Sequence, residues 1–387
     1  MKLRSKVINV LQNSRKIKIV LIIAFLLVLL SLFVPSTLAA ENGYNQQDAD
    51  QIAQGFISQI PEEAADGLDK IGVNTLAPEK IAGVSPDGLF SLFLNAAASS
   101  FSAPLRCLLI TSAVSLLYAV INGFDASEGV KKTASAATVM AVAVSAYAPV
   151  ISQISKASNL ISECSNFMTA FVPAYSSVIA ASGKPSTALV YGGLLIGAIQ
   201  LISQLTVMVF VPLLSVILAV SLAGAVNSSL HIDSIINTVK SFVGWGLGLI
   251  MTVFVGLLGV QGVVTSAADT LGVKTAKFAL GNFVPVVGGA LSEACGSVLG
   301  GLGLIKSTIG AFGILVIAVI FIIAMTPTLL MLVSVRLSAG VARILGCDPL
   351  YNALSAAGWV AGLMLAIVLC FGATFIISTS IVGSMVT

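Results

Sequence analysis

Long stretches without a charge dominate the pattern of apolar and polar positions along this chain. Residues 185–230, 241–268 and 349–387 contain no Asp, Glu, Lys, Arg or His. A helix needs about 20 apolar residues to cross about 30 Å of hydrocarbon. The stretch from Pro185 to Leu230 therefore predicts two spans with a break near Pro212. The start of the chain reads differently. Six basic residues precede an apolar run from Ile19 to Val34, then Pro35 and the small residues up to Ala40. That is the layout of a secretory signal peptide over 1–40, with an uncleaved anchor as the alternative. In both cases the basic residues hold the N-terminus in the cytoplasm and the chain beyond Ala40 is exported. Residues 41–102 are acidic and polar, punctuated by Pro61, Pro78 and Pro86. Ile52, Phe56, Ile57 and Ile60 have the spacing of one face of a short helix.

The apolar remainder contains a repeat. Pro104, Pro212 and Pro327 each begin a similar segment, and Asp125, Asp233 and Asp348 each stand 21 residues after their proline. Gly244-Trp245 and Gly358-Trp359 follow the second and third at nearly equal distance. A Phe-Val-Pro triplet closes the first two units, at Phe171–Pro173 and Phe283–Pro285. The reading is two and a third copies of a unit of about 110 residues, over 103–211, 212–326 and 327–387. The fold class expected is an all-α polytopic membrane protein with about 8–10 membrane helices and Pro-broken or re-entrant segments. If the Phe-Val-Pro segment crosses the membrane, the copies are parallel; if it dips in and returns, they are inverted. Lys131, Lys132, Lys240 and Arg343 in equivalent turns favour parallel copies, whereas Lys274 and Lys277 suit the inverted version.

Composition agrees: 57% of the 387 residues are hydrophobic and 9% charged, with a mean hydropathy of +1.05, against roughly a quarter charged in soluble domains. Catalytic chemistry has little material. The single histidine, His231, lies in a turn, and the five cysteines have no metal-binding spacing, so packing is their expected role. "GGLGLIKST" lacks the glycine before the lysine that a phosphate loop requires. No catalytic, cofactor or metal residue is assigned, and no nucleic-acid contact. The candidate residues instead belong to the breaking segments: Phe171 and Pro173 in the first, and Gly281, Asn282, Phe283, Pro285, Gly288 and Gly289 in the second, with Glu293 as the nearest acid. Proline removes a backbone donor and glycine loosens the chain. In lipid such backbone survives only against protein or a water-filled cavity, so these residues line a path or form a kinked packing helix.

The stretch "AADTLGVKTAKFALGNFVPVVGGALSEACG", Ala267 to Gly296, resembles the stage III sporulation protein AE family of endospore-forming bacteria. The signal-like start, the acidic segment and the helix-dense remainder resemble it too. The resemblance implies a permease-like membrane component of the channel linking mother cell and forespore, in the mother-cell membrane around the engulfed forespore. It implies partners among the products of its operon, including a secretion-type ATPase and ring-forming proteins, and a forespore-membrane partner. It supplies no catalytic residue. A non-conducting assembly platform and an independent ion-coupled small-solute transporter are the alternatives.

Overall fold

The computed structural model describes residues 54–73, 75–123, 127–226 and 288–384, with scattered positions between 238 and 256; over 288–304 the helix backbone alone is described. The expected signal peptide, Asp125, Asp233 and Gly281–Pro285 lie outside the described residues. Within them the chain is helical, with no strand.

Three short helices come first. Helix α1, Glu62–Lys70, carries two acids in its first turn and a lysine in its last, matching the helix dipole. Helix α2 is Pro78–Ala82. Helix α3, Pro86–Ser100, is capped by Ser85, whose hydroxyl accepts from the Gly88 amide at 3.1 Å, with Pro86 at the first helical position. Helix α4 is Ser102–Gly123. Helix α5 spans Glu128–Ala181, with a π turn at Ala143–Tyr147. Helix α6 starts at Pro185, passes through a π turn at Thr206–Phe210 and continues over Val211–Val226. Helix α7 is Gly288–Ile344 and helix α8 is Asp348–Ser384. Five of these, α4 to α8, are long and apolar enough to cross a membrane. The two tight reversals are built alike. Gly183 (φ 86°) and Gly346 (φ 73°) adopt the left-handed conformation, and the next amide, Lys184 or Cys347, bonds back to the carbonyl of Ile179 or Ala342.

Two expected breaks are absent. Pro173 lies inside an uninterrupted α5. It stands on the exposed face, while Phe171, Val172 and Tyr175 around it are buried. Losing the one bond to the Thr169 carbonyl is outweighed by that packing. The first Phe-Val-Pro segment is thus a packing helix, not a broken or re-entrant one. Nor does α6 split near Pro212. The π turn ends two residues before it and changes the hydrogen-bond register just where the proline cannot donate. The same arrangement precedes Pro149 in α5. What reads as pairs of spans is therefore a smaller set of long helices.

Contacts fix the directions. Ser334 bonds to the Pro104 carbonyl, Thr111 to Ser338 at 2.7 Å, and the Cys347 thiol to the Ser115 carbonyl at 3.3 Å, so α4 runs parallel to the end of α7. Gly358 and Gly362 pack on Arg336 and Leu332, and Gly372 on Phe321, so α8 is antiparallel to α7. Tyr191 pairs with Thr379 at 3.1 Å, while Tyr147 links Ser221 to the Ala353 carbonyl, so α6 is antiparallel to α8. The three segments that begin at Pro104, Pro212 and Pro327 consequently point the same way, the orientation that parallel copies require.

The acidic segment is not a loose attachment. Phe56, Ala64, Leu68, Val73, Leu76 and Ile81 are buried, and Gly67 lets α1 close directly on Val319 and Ile323 of α7. Glu62, Glu63, Asp66, Asp69 and Glu79 face outward. Of the expected helical face, Phe56 is buried and Ile60 partly so, but Ile57 is exposed.

Candidate membrane-embedded site

The inward face of α5 is apolar and aromatic. Phe171 sits at the centre of a column, with ring centroids 5.1 Å from Phe56, 5.6 Å from Phe167, 5.4 Å from Tyr175 and 5.5 Å from Phe375. Tyr175 continues it to Tyr191 at 5.5 Å. Gly313 and Gly310 of α7 are what admit these rings, since a Cβ on either would collide with Phe171 or Tyr175. The column is closely packed and leaves Phe171 fully buried.

The outward face of α5 is different in kind. Ser152, Asn159, Asn166 and Pro173 recur at seven-residue intervals, with Ser155, Ser162 and Thr169 between them, and every one is exposed. Lys156 and Glu163 flank this line and are exposed too. Along the neighbouring α6 the exposed side chains include the apolar Leu189, Leu201, Val207, Met208 and Val216 and the polar Gln200, Gln204 and Ser215. Counting equal rises from the turn at Gly183 sets Asn159 of α5 level with Val207 of α6. Around that height α5 shows amides, hydroxyls and charges, and α6 shows the amides of Gln200 and Gln204 among apolar side chains. Such groups facing hydrocarbon are expensive, and within membrane segments they face protein or water.

Polar side chains also tie the buried helices together. The Tyr147 hydroxyl, in the π turn of α5, pairs with Ser221 of α6 at 2.9 Å and donates to the Ala353 carbonyl of α8 at 3.0 Å. Thr328 of α7 donates to Gln153 of α5 at 3.3 Å. Hydroxyl and amide links of this sort join helices where no hydrophobic drive acts between them. The described cysteines, Cys107, Cys164, Cys347 and Cys370, are free and buried, as packing residues should be. At the α7–α8 turn, burial and then the Asp348 carboxylate push the Cys347 thiol above its ordinary range.

The residues chosen from sequence are distributed unevenly. Phe171 is core. Pro173 is exposed on the line of the polar face. Gly288, Gly289 and Glu293 lie on the first turns of α7. Since Tyr175 meets α7 at Gly310, Glu293 is about 25 Å further along the helix, and the two sets are not brought together. Asp348 is exposed and opens α8. Sequence reasoning missed the polar face, although the seven-residue recurrence of Ser152, Asn159 and Asn166 is visible in the bare sequence.

The fold and this face define an all-α, multi-helix membrane protein with a polar row along one helix. The sequence profile of stage III sporulation protein AE matches residues 80–385, most of the chain, and the chain belongs to that family. A relative, stage III sporulation protein AE of Bacillus subtilis (strain 168), is 24% identical over 247 residues, which is 64% of this chain and 62% of the relative. The match thus spans less than two thirds of that relative's length. No solved structure matches the chain.

Proposed function

We propose that this protein is the permease-like conduit subunit of the sporulation channel joining mother cell and forespore, and that the outward face of α5, level with the acidic segment, lines the exported end of its path. The observation that carries this reading is the exposed row of Ser152, Asn159, Glu163 and Asn166 on one face of α5, with Gln200 and Gln204 exposed on the neighbouring α6. Polar groups in such a row face water rather than lipid. In this reading the protein has no chemistry of its own, and a partner ATPase of the same operon supplies energy. The signal peptide is removed, and the acidic segment stands on the exported side, opposite the turns that hold Lys131 and Arg343. The protein then resides in the mother-cell membrane around the engulfed forespore, with ring-forming proteins and a forespore-membrane protein as its further partners.

Single cysteines at Asn159, Glu163 and Asn166 in sporulating cells test this. A small water-soluble thiol reagent is expected to label each one and to block passage through the channel. Protection of all three positions would refute the conduit reading. The second reading, a non-conducting platform, is favoured by the same face if it docks other stage III proteins. Substitutions there would then abolish complex assembly and conduction together, never conduction alone.

A further inference from the structure

We propose that the outer face of the α7–α8 hairpin holds an anionic phospholipid, its phosphate seated between Arg336 and Arg343. This site is separate from the polar row of α5 and does not depend on the conduit reading.

Both arginines lack a counter-ion. Arg336 is half-buried, and its guanidinium hydrogen-bonds among the described residues only to the Gly358 carbonyl, at a long 3.5 Å. Arg343 is exposed. It lies over the Tyr351 ring, 4.9 Å from the centroid, and donates to the Tyr351 hydroxyl at 3.1 Å. Neither pairs with a carboxylate among the described residues, Asp348 at the start of α8 included. Yet the same side of α7 is apolar, with Val333, Leu337 and Ile344 exposed beside them. Charges in such surroundings are costly without a partner. A guanidinium presents a planar fork of donors that fits two phosphate oxygens at once.

The space between the two arginines is open. Gly340 stands on the same face, one turn beyond Arg336 and just short of Arg343, and a Cβ there would meet nothing within 4 Å. On α8, Gly358 makes room for the Arg336 side chain, since a Cβ there would lie 3.2 Å from its Cγ. Ser355, on the α8 face between Tyr351 and Gly358, adds a half-buried hydroxyl. The Cα atoms of Arg336 and Arg343 are about 10 Å apart along the helix, and the polar layer of one leaflet is about 5–7 Å deep. The two guanidiniums therefore bracket that layer. Leu337 and Val333, further from the turn, lie where acyl chains continue inward.

Native mass spectrometry of the purified full-length protein, titrated in detergent with phosphatidylglycerol or phosphatidylcholine, tests the proposal. Retention of phosphatidylglycerol in preference to phosphatidylcholine is expected. Arg336→Gln and Arg343→Gln are each expected to weaken it about fivefold. Gly340→Leu keeps both charges but fills the notch, and is expected to weaken binding at least as much. Arg106→Gln removes an exposed arginine from α4 and is expected to change nothing. Helical circular dichroism checks the fold of each variant, and Gly340→Leu, placed in open space, reads the site even where loss of Arg336 disturbs packing. Equal weakening by Arg106→Gln, or unchanged affinity in Gly340→Leu, would leave only general charge attraction and overturn the site. Equal retention of the two lipids would overturn it as well. Displacement of the bound lipid by millimolar inorganic phosphate would assign the notch to free anions and overturn its assignment to lipid.

Discussion

The first Phe-Val-Pro segment offers a sharp contrast between adjacent residues. If the segment is a packing helix, its phenylalanine carries the energy and its proline does not. Phe171 is fully buried, contacts four aromatic rings and lies against Gly313. Truncating a buried phenylalanine costs about 3–5 kcal/mol, cavity included. Edge and offset ring contacts add about 0.5–1.5 kcal/mol each beyond area, so Phe171→Ala belongs at the upper end. Pro173 is exposed within a continuous helix. Pro173→Ala restores an amide able to bond the Thr169 carbonyl and removes a residue that disfavours a helix interior by about 3 kcal/mol. Its expected effect is a gain, from near zero to about 3 kcal/mol, since the helix has already adapted to the ring. Unfolding of the detergent-solubilised chain, followed by helical circular dichroism against denaturant, reads both changes. The expected result is opposite signs. A Pro173→Ala protein destabilised as much as Phe171→Ala would show that the proline shapes a break after all, and the packing argument would fail.

Other consequences can be checked in the same preparation. Gly67→Val puts a branched side chain into Val319 and Ile323; it is expected to loosen α1 and make the segment around Glu62–Lys70 protease-sensitive while α5 to α8 stay protected. A Thr111→Val and Ser338→Ala double-mutant cycle should show coupling of about 0.6 kcal/mol for the 2.7 Å bond between α4 and α7, and no coupling would mean the hydroxyls are paired elsewhere. The raised thiol of Cys347 adds stability below its unfolded-state pKa and loses it as pH rises through the folded value. Alkaline destabilisation should accordingly be smaller in Cys347→Ala, and an unchanged slope would refute this.

The helical, membrane-spanning character was open to view because charge-free runs of this length have few other uses. At Pro173 and Pro212 the helix continues for a local reason. A proline's effect depends on which face it occupies and on whether the preceding turn is wide, and neither is written in a Phe-Val-Pro triplet. Pro173 points outward and Pro212 comes after a π turn. The polar face escaped because counting charges along α5 beyond Lys132 registers only Lys156 and Glu163, while its substance is uncharged serine and asparagine. Phe56 was placed on a helical face by spacing, but its partners, Phe167, Phe171 and Phe312, are remote in sequence and no local pattern names them. The early segment reads in the sequence as acidic, exported and partly helical; its buried half shows only once α7 is in place.

That burial has a consequence for how the molecule is made. Phe56 emerges early in synthesis, yet part of its pocket is Phe312, and the surface against which α1 closes is Val319 and Ile323. Until the last third of the chain has been inserted, the early segment has nowhere to settle, and its apolar side must be shielded by something other than its own fold. Contacts so distant in sequence close late and slowly. A chain truncated before α7 would thus fail from its front end as well as its back, a built-in check that only a completed polypeptide presents an ordered acidic surface.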